Sequence, residues 1–534
     1  MMTGITGTGP LVRLALRRDR IILPIWIVLL GVIPGSTAKA YEQLYPTMAD
    51  RITLNAGSAT NASAAVLYGP AYDLTTTGGW IAWRYGSFLA LFVALMAIFT
   101  VTRHTRAEED SGRLELLGSA VVGRYAALTS GLLVAGGASV AVGLLSTLVM
   151  LGNGLPVAGS VTFGLGAAAT GLVFTAISGV TAQLTEYSRS ANGFATAALG
   201  VAFLLRALGD STPSAHWVSW LSPLAWPQQA KPFVADKWWV FPMAVVIAAA
   251  IATIAFRLVP RRDLGAGLFP AKPGPAAAPG SLASPLGLAW RLHRGSLLGW
   301  TAGMVVLGVV FGSLADGIGG LVGDSQQVRD ILARMGGTQG LVDAYLSAII
   351  GLFGMLAGVY AVQATLRMRS EETGGRAEPV LATGVSRTGW VASHLVFTVL
   401  GPAVLLAVAG LAAGLGNAMH AGDLGHQLGH MLDAAVVELP AVWVLTGVAA
   451  LLFGLLPQVS VPASWAVMGV FLVIALYGPV LGLAQAILDI SPFVHVPKLQ
   501  AGTPFTATPL FWLTGVAALG VAAGLAGFRR RDLG

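Results

Sequence analysis

The stretch Arg106-Ala-Glu108-Glu109-Asp-Ser-Gly112-Arg113-Leu-Glu115 recurs 263 residues later as Arg369-Ser-Glu371-Glu372-Thr-Gly-Gly375-Arg376-Ala-Glu378, with six identities in ten positions. Arg124 falls on Arg387 at the same offset. Further along, Gly200-Val201 falls on Gly469-Val470 and Ser222-Pro223 on Ser491-Pro492, both at an offset of 269. Arg261-Arg262-Asp263-Leu264-Gly265 falls on Arg530-Arg531-Asp532-Leu533-Gly534 at that same offset of 269. Landmarks that repeat in one order at nearly one spacing mark a duplicated unit.

Between the landmarks the chain is apolar. Of its 534 residues 55% are hydrophobic and 10% charged, against roughly 25% charged in soluble domains, and mean hydropathy is +0.74. Apolar windows fall near 20–38, 85–102, 125–151, 155–182, 191–208 and 239–257, then near 296–315, 345–364, 391–416, 431–456, 463–486 and 509–527. They match the roughly 20 residues of a spanning helix and exceed the ~9–11 of a barrel strand. The expected fold is therefore an all-α polytopic membrane protein of about 12 transmembrane helices, arranged as two parallel six-helix repeats. Residues 1–260 form transmembrane domain 1, residues 261–284 a Pro/Ala/Gly-rich linker, and residues 285–534 transmembrane domain 2. A pathway between the two halves follows from the repeat symmetry.

Charge placement sets the expected orientation. With the N-terminus inside, the inner segments hold 22 Lys/Arg against 11 Asp/Glu and the outer ones 9 against 13. That agrees with the positive-inside rule and puts both termini in the cytoplasm. Five lysines among 31 basic residues, beside so much Ala and Gly, suggest a GC-rich bacterial genome and hence a bacterial plasma membrane. Arg13, Arg17, Arg18 and Arg20 before an apolar run ending Ala38-Lys39-Ala40 also have the form of a signal peptide. The matching mid-chain segment, with Arg291 and Arg294 before Ser296, argues instead for a retained helix.

Several chemistries are excluded. The chain has no cysteine, so disulfides and thiolate catalysis are out. No lysine among Lys39, Lys231, Lys237, Lys272 and Lys498 follows a glycine or precedes Ser or Thr, so no P-loop exists and no ATP or magnesium is held by this chain. Gly4, Gly7 and Gly9 follow no strand and make no dinucleotide site. Nothing points to nucleic acid.

On a helix, Glu108 and Glu115 share a face, as do Glu371 and Glu378, and would present carboxylates to the cytosol. A merely solvated loop has no reason to keep both glutamates and both arginines in two copies, so these segments are read as docking elements.

A fused six-plus-six helix plan, a basic amphipathic helix before the first span (Leu11, Leu14, Leu16 beside Arg13, Arg17, Arg18), the repeated Glu-Glu-x-x-Gly-Arg-x-Glu loops and the missing ATP site together resemble the ABC-2-type exporter permeases. In particular the chain resembles actinobacterial permeases for polyketide antibiotics of the tetronasin type and mycobacterial multidrug efflux permeases. The resemblance implies a type V exporter-like fold and coupling helices that insert into a separate ATPase. Carried over, the coupling residues are Arg106, Glu108, Glu109, Gly112, Arg113 and Glu115, with Arg369, Glu371, Glu372, Gly375, Arg376 and Glu378 in the second half. Thr373 for Asp110 and Pro379 for Leu116 make the two copies unequal. It further implies two copies of a P-loop ATPase as partners, which bind the ATP and magnesium, and a hydrophobic or amphipathic small molecule as cargo. The segments around Ser222-Pro223 and Ser491-Pro492 correspond to short re-entrant helices that cap the outer end of the pathway. Read from residues alone, Trp217, Trp220, Trp226, Trp238 and Trp239 beside the first of these form an interfacial aromatic belt.

Arg206, Asp433 and Glu438 lie toward the outer ends of their windows, where snorkelling relieves a charge. Glu186 and Arg189 sit in a short inner connection. His420, Asp423, His426 and His430 cluster without a third-ligand motif, so no metal site is expected. The alternative function is a proton-coupled transporter of the major facilitator type. Asp110-x-Gly112-Arg113 resembles that family's loop motif, but Arg106 stands where a glycine is expected and Thr373 replaces the acid in the second copy. A membrane glycosyltransferase is the third class; Asp50, Asp73 and Asp324 form no catalytic constellation for it.

Overall fold

The computed structural model describes residues 2–59, 62–114, 121–269, 274, 276–315, 337–421, 423–477, 484–497, 499 and 506–532. Among them there is no strand. Among the described residues eleven helices are long and apolar enough to cross a membrane, and the apolar helix Ser460–Leu476 stands, somewhat short, where the twelfth is expected. The chain is a multi-pass membrane protein. It folds as two units, one comprising Met1–Gly274 with Gly320–Ser325 and the other Pro275–Gly319 with Gln326–Gly534.

The first unit opens with α1 (Thr8–Arg18), the amphipathic helix. The first span follows as α2 (Ile22–Ser36) and α3 (Ala38–Leu44). The Ala38-Lys39-Ala40 run lies inside α3, whose buried Tyr41 hydroxyl donates to the Leu74 carbonyl. Short helices α4 (Met48–Ala59) and α5 (Ala62–Tyr68) precede α6 (Thr77–His104) and the five-residue α7 (Arg106–Asp110). Then come α8 (Ala126–Gly152), α9 (Val157–Leu184), α10 (Ser188–Ser211), α11 (Trp226–Gln229) and α12 (Val240–Leu258).

The second unit repeats the order with local differences. Its first helix, α13 (Pro285–Ser313), merges the basic segment with the span, so Ser296 lies mid-helix rather than at a start. It is followed by α14 (Gly337–Thr373), α15 (Ala377–Ala382) and α16 (Arg387–Ala421). The fourth span is divided into α17 (Leu424–Val437) and α18 (Leu439–Leu455), with Pro440 two residues into α18. Proline there lacks the N–H that would continue the ladder from α17. The unit ends with α19 (Ser460–Tyr477), α20 (Gln485–Leu488) and α21 (Thr508–Arg530).

In each unit the fourth span is the most enclosed. For α9, 78% of the apolar window is buried, and for α17–α18, 67%. Small residues explain how neighbours come so close. A Cβ on Gly143 would fall 2.3 Å from the Gly164 carbonyl oxygen, and one on Gly454 would fall 1.9 Å from that of Gly524. Helices α8 and α9 in one unit, and α18 and α21 in the other, are thus in backbone contact.

Candidate functional site: paired charge clasps

Helix α6 stops at His104 because Thr105 leaves helical geometry (φ −124, ψ −88), and Gly112, at φ +68, turns the chain after α7. A positive φ is free of strain only for glycine, and Gly375 holds the same place at φ +65. Between break and turn lies a buried ion cluster. Glu109 takes a two-pronged bond from Arg262, at 2.7 Å to each oxygen, and a third from Arg106 at 2.7 Å. Arg106 is fully buried and donates through Nε and Nη2 to the Ala182 carbonyl at the end of α9. Arg262 also donates to Gln183 Oε1 at 2.7 Å, and Arg124, at the head of α8, donates to the Arg262 carbonyl at 3.0 Å.

The second unit builds the same object. Glu372 accepts from Arg531 at 2.9 Å and from Arg369 at 2.9 Å through one oxygen, its other oxygen lies 2.7 Å from Arg531 as an ion pair, and Arg387 donates to the Arg531 carbonyl. The Arg531 guanidinium also lies 5.0 Å from the ring centres of Phe453 and Phe528. Three features that recur separately in the sequence, the Glu-Glu loop, Arg124/Arg387 and the Arg-Arg-Asp-Leu-Gly run, therefore meet in space twice. We call each meeting a clasp.

This corrects the expected presentation of carboxylates to the cytosol. The side chain of Glu108 is 11% exposed, that of Glu371 7%. Glu108 pairs with Arg18 of α1 at 2.5 Å, and Glu371 with Arg376 at 2.8 Å and Arg367 at 2.9 Å. The segments turn both signs outward: the side chains of Arg113 and Arg376 are 57% and 56% exposed, and Asp110 is exposed in the first segment. Glu378 is exposed, and Glu115 lies outside the described residues.

Beside the first clasp, Asp19 joins α1 to α6 by accepting from Arg103 and His104, each at 2.8 Å. Burial pushes its pKa up, but the bonds from Arg103 and His104 outweigh it and hold the carboxyl below the ordinary value of 3.8. A depressed folded-state pKa stabilises above the unfolded pKa, near 3.9, and the gain is lost as pH falls through the folded value. Asp19→Asn is expected to remove this acid-side loss; identical stability curves below about pH 4 for both proteins would contradict it.

At the opposite end of each unit both serines of the Ser-Pro pairs are buried, as is Pro492, while Pro223 is partly exposed. Ser222 Oγ donates to the Ala202 carbonyl at 2.6 Å and Ser491 Oγ to the Phe471 carbonyl at 3.2 Å. Ala202 and Phe471 directly follow the matched Gly200-Val201 and Gly469-Val470, so these repeats also meet their partners. A single helical turn of 3-10 type, Pro492–His495, starts at Pro492, whereas Pro223 follows the 3-10 segment Pro213–Leu221. Trp226 is buried and donates to the Trp220 carbonyl, while Trp217, Trp238 and Trp239 are exposed.

Arg206 does not snorkel. It is 1% exposed, donates to Ser87 Oγ at 2.8 Å and to the Val66 carbonyl at 2.6 Å, and lies 3.6 Å from Asp210. Glu438 is buried too, against Gly354 at the α17–α18 break, while Asp433 is exposed. His426 and His430 stack at 5.8 Å, and among the described residues no group of three metal-ligating side chains forms. The His420 side chain lies outside those described. Sequence reasoning named Arg18 only as part of the basic helix, not as the partner of Glu108, and missed Asp19 and the buried His293–His394 pair, 3.0 Å apart, because neither belongs to a repeated motif.

The profile of one family, described as "Multidrug efflux system permease Rv1217c, C-terminal domain", matches residues 9–259 and again 282–529. The chain belongs to the Rv1217c permease family. A relative, the multidrug efflux system permease protein Rv1217c of Mycobacterium tuberculosis (strain ATCC 25618 / H37Rv), is 45% identical over 533 residues, covering 99% of this chain and 96% of the relative. The two Rv1217c-family matches end at residues 259 and 529, just short of Arg262 and Arg531, the arginines that close the clasps.

Proposed function

We propose that this chain is the membrane permease of an efflux system for hydrophobic or amphipathic small molecules, driven by two copies of a separate P-loop ATPase, one on each Glu-Glu segment. The observation that carries the reading is the duplicated clasp: two like-built charged ends, each with an outward arginine, on a chain without a P-loop of its own. The 45%-identical relative named as a multidrug efflux permease supports the cargo class. The positive-inside count supports clasps and termini in the cytoplasm of a bacterial plasma membrane. ATP and magnesium belong to the partner.

Because Glu108 and Glu371 are buried, the docking contacts fall to the exposed faces of Arg113 and Arg376, with Asp110 beside the first and Glu378 beside the second. Both arginines keep more than half their side-chain surface in solvent while paired with those glutamates. The ATPase groove is then expected to carry carboxylates facing these arginines. Purification of the chain from native membranes in mild detergent is expected to recover a P-loop ATPase near two copies per permease. Arg113→Glu with Arg376→Glu is expected to lose it. Recovery of no ATPase from the wild type, or an unchanged yield from the variant, would overturn the reading.

A further inference from the structure

We infer that Arg262 and Arg531 are positioning residues that make each Glu-Glu segment move as one body with the last helix of its own unit. The inference rests on reading those segments as the ATPase docking elements. In sequence a segment is attached only to the second and third spans, which it connects. The clasp adds two further attachments. Arg262 follows directly on the Val259–Arg261 turn that ends α12, and Arg531 caps α21.

Each of these arginines is held on several sides. The Arg262 side chain is 8% exposed and bonds to both oxygens of Glu109 and to Gln183 at the end of α9. Its carbonyl accepts from Arg124 at the start of α8. Arg531 does the like with Glu372, hydrogen-bonded to one oxygen and ion-paired with the other, with Phe453 of α18 in the role of Gln183, and with Arg387 at the start of α16. A planar guanidinium bound on two edges or faces leaves its carboxylate little freedom to swing. Second, third, fourth and sixth spans thus meet at one ion cluster, in both units, through different fourth-span contacts. A conserved layout reached by unlike means argues that the tie itself matters. Displacing the segment displaces the sixth helix with it, a rigid-body transfer rather than a hinge.

The test uses the full permease in lipid nanodiscs, alone and with its co-purified ATPase. Arg262→Gln with Arg531→Gln keeps size and polarity but removes the charged fork; Arg262→Lys with Arg531→Lys keeps the charge. In the permease alone, amide exchange in residues 106–113 and 369–376 is expected to quicken about ten-fold in the Gln pair and much less in the Lys pair. In the complex, the Gln pair is expected to retain the ATPase and its basal ATP hydrolysis while ATP-driven efflux of a fluorescent hydrophobic dye falls about ten-fold. The Lys pair is expected to recover most of the efflux. Unchanged exchange overturns the clasp as a positioning device. Loss of docking in step with efflux makes the arginines merely structural and overturns the inference, as does undiminished efflux. If the wild type binds no ATPase at all, the docking reading fails on its own, and exchange in the permease alone still decides whether the clasp holds its segment.

Discussion

Glu109→Ala is expected to destabilise the first unit by about 3–5 kcal/mol, because removing one partner of a buried ion pair strands the others. Arg106 is fully buried and the Arg262 side chain 8% exposed, so neither cation gains water when the carboxylate is gone. For a domain of this size that is a fall of roughly 10 °C in the thermal midpoint. Glu372→Ala is expected to cost less, since Arg369 and Arg531 both keep 16% of their side-chain surface in solvent. Thermal unfolding of both variants in one detergent decides the matter. Equal losses would mean that the first clasp is wetter than its geometry indicates. A Glu109→Ala midpoint within about 2 °C of wild type would remove the cluster from the forces holding the unit.

Arg206→Met is the second large effect, again about 3–5 kcal/mol. The guanidinium ties α10 to α5 through the Val66 carbonyl and to α6 through Ser87, and it faces Asp210, whose side chain is 1% exposed. With methionine in its place Asp210 is a buried carboxylate whose remaining partner is the Ser219 hydroxyl, 2.7 Å away. Replacing both charges by apolar residues of like volume is often neutral, so Arg206→Met with Asp210→Leu is expected to recover most of the loss. A double-mutant cycle measures the coupling directly. Additive losses would show that the two side chains act independently and that the 3.6 Å approach contributes little.

The contrast between these two sites shows where sequence reading succeeds in a membrane chain. The Glu-Glu segments stood out because duplication kept them twice, and their position in the fold followed from counting spans. Their orientation did not follow. Glu109 meets Arg262 across 153 residues and Glu372 meets Arg531 across 159, and no local pattern says which helix ends converge. Arg206 was placed at the right depth and given the wrong environment, since snorkelling and burial look alike in a single window. The repeat at an offset of 269 held more than was read from it: Ser222 and Ala202, like Ser491 and Phe471, are hydrogen-bonded pairs that the matched dipeptides already flanked.

The sequence by itself determined the approximate limits of the spans, the duplication and the lack of a P-loop motif. Backbone groups in lipid must be satisfied within their own helix, so local hydropathy decides what spans. Tertiary structure alone decided which charges are buried, which arginines face out, and that three separately repeated motifs form one clasp. A polar side chain near a helix end finds its partner on another helix, and only the packing of those helices, set by small residues as far apart as Gly312 and Ala413, brings the two together.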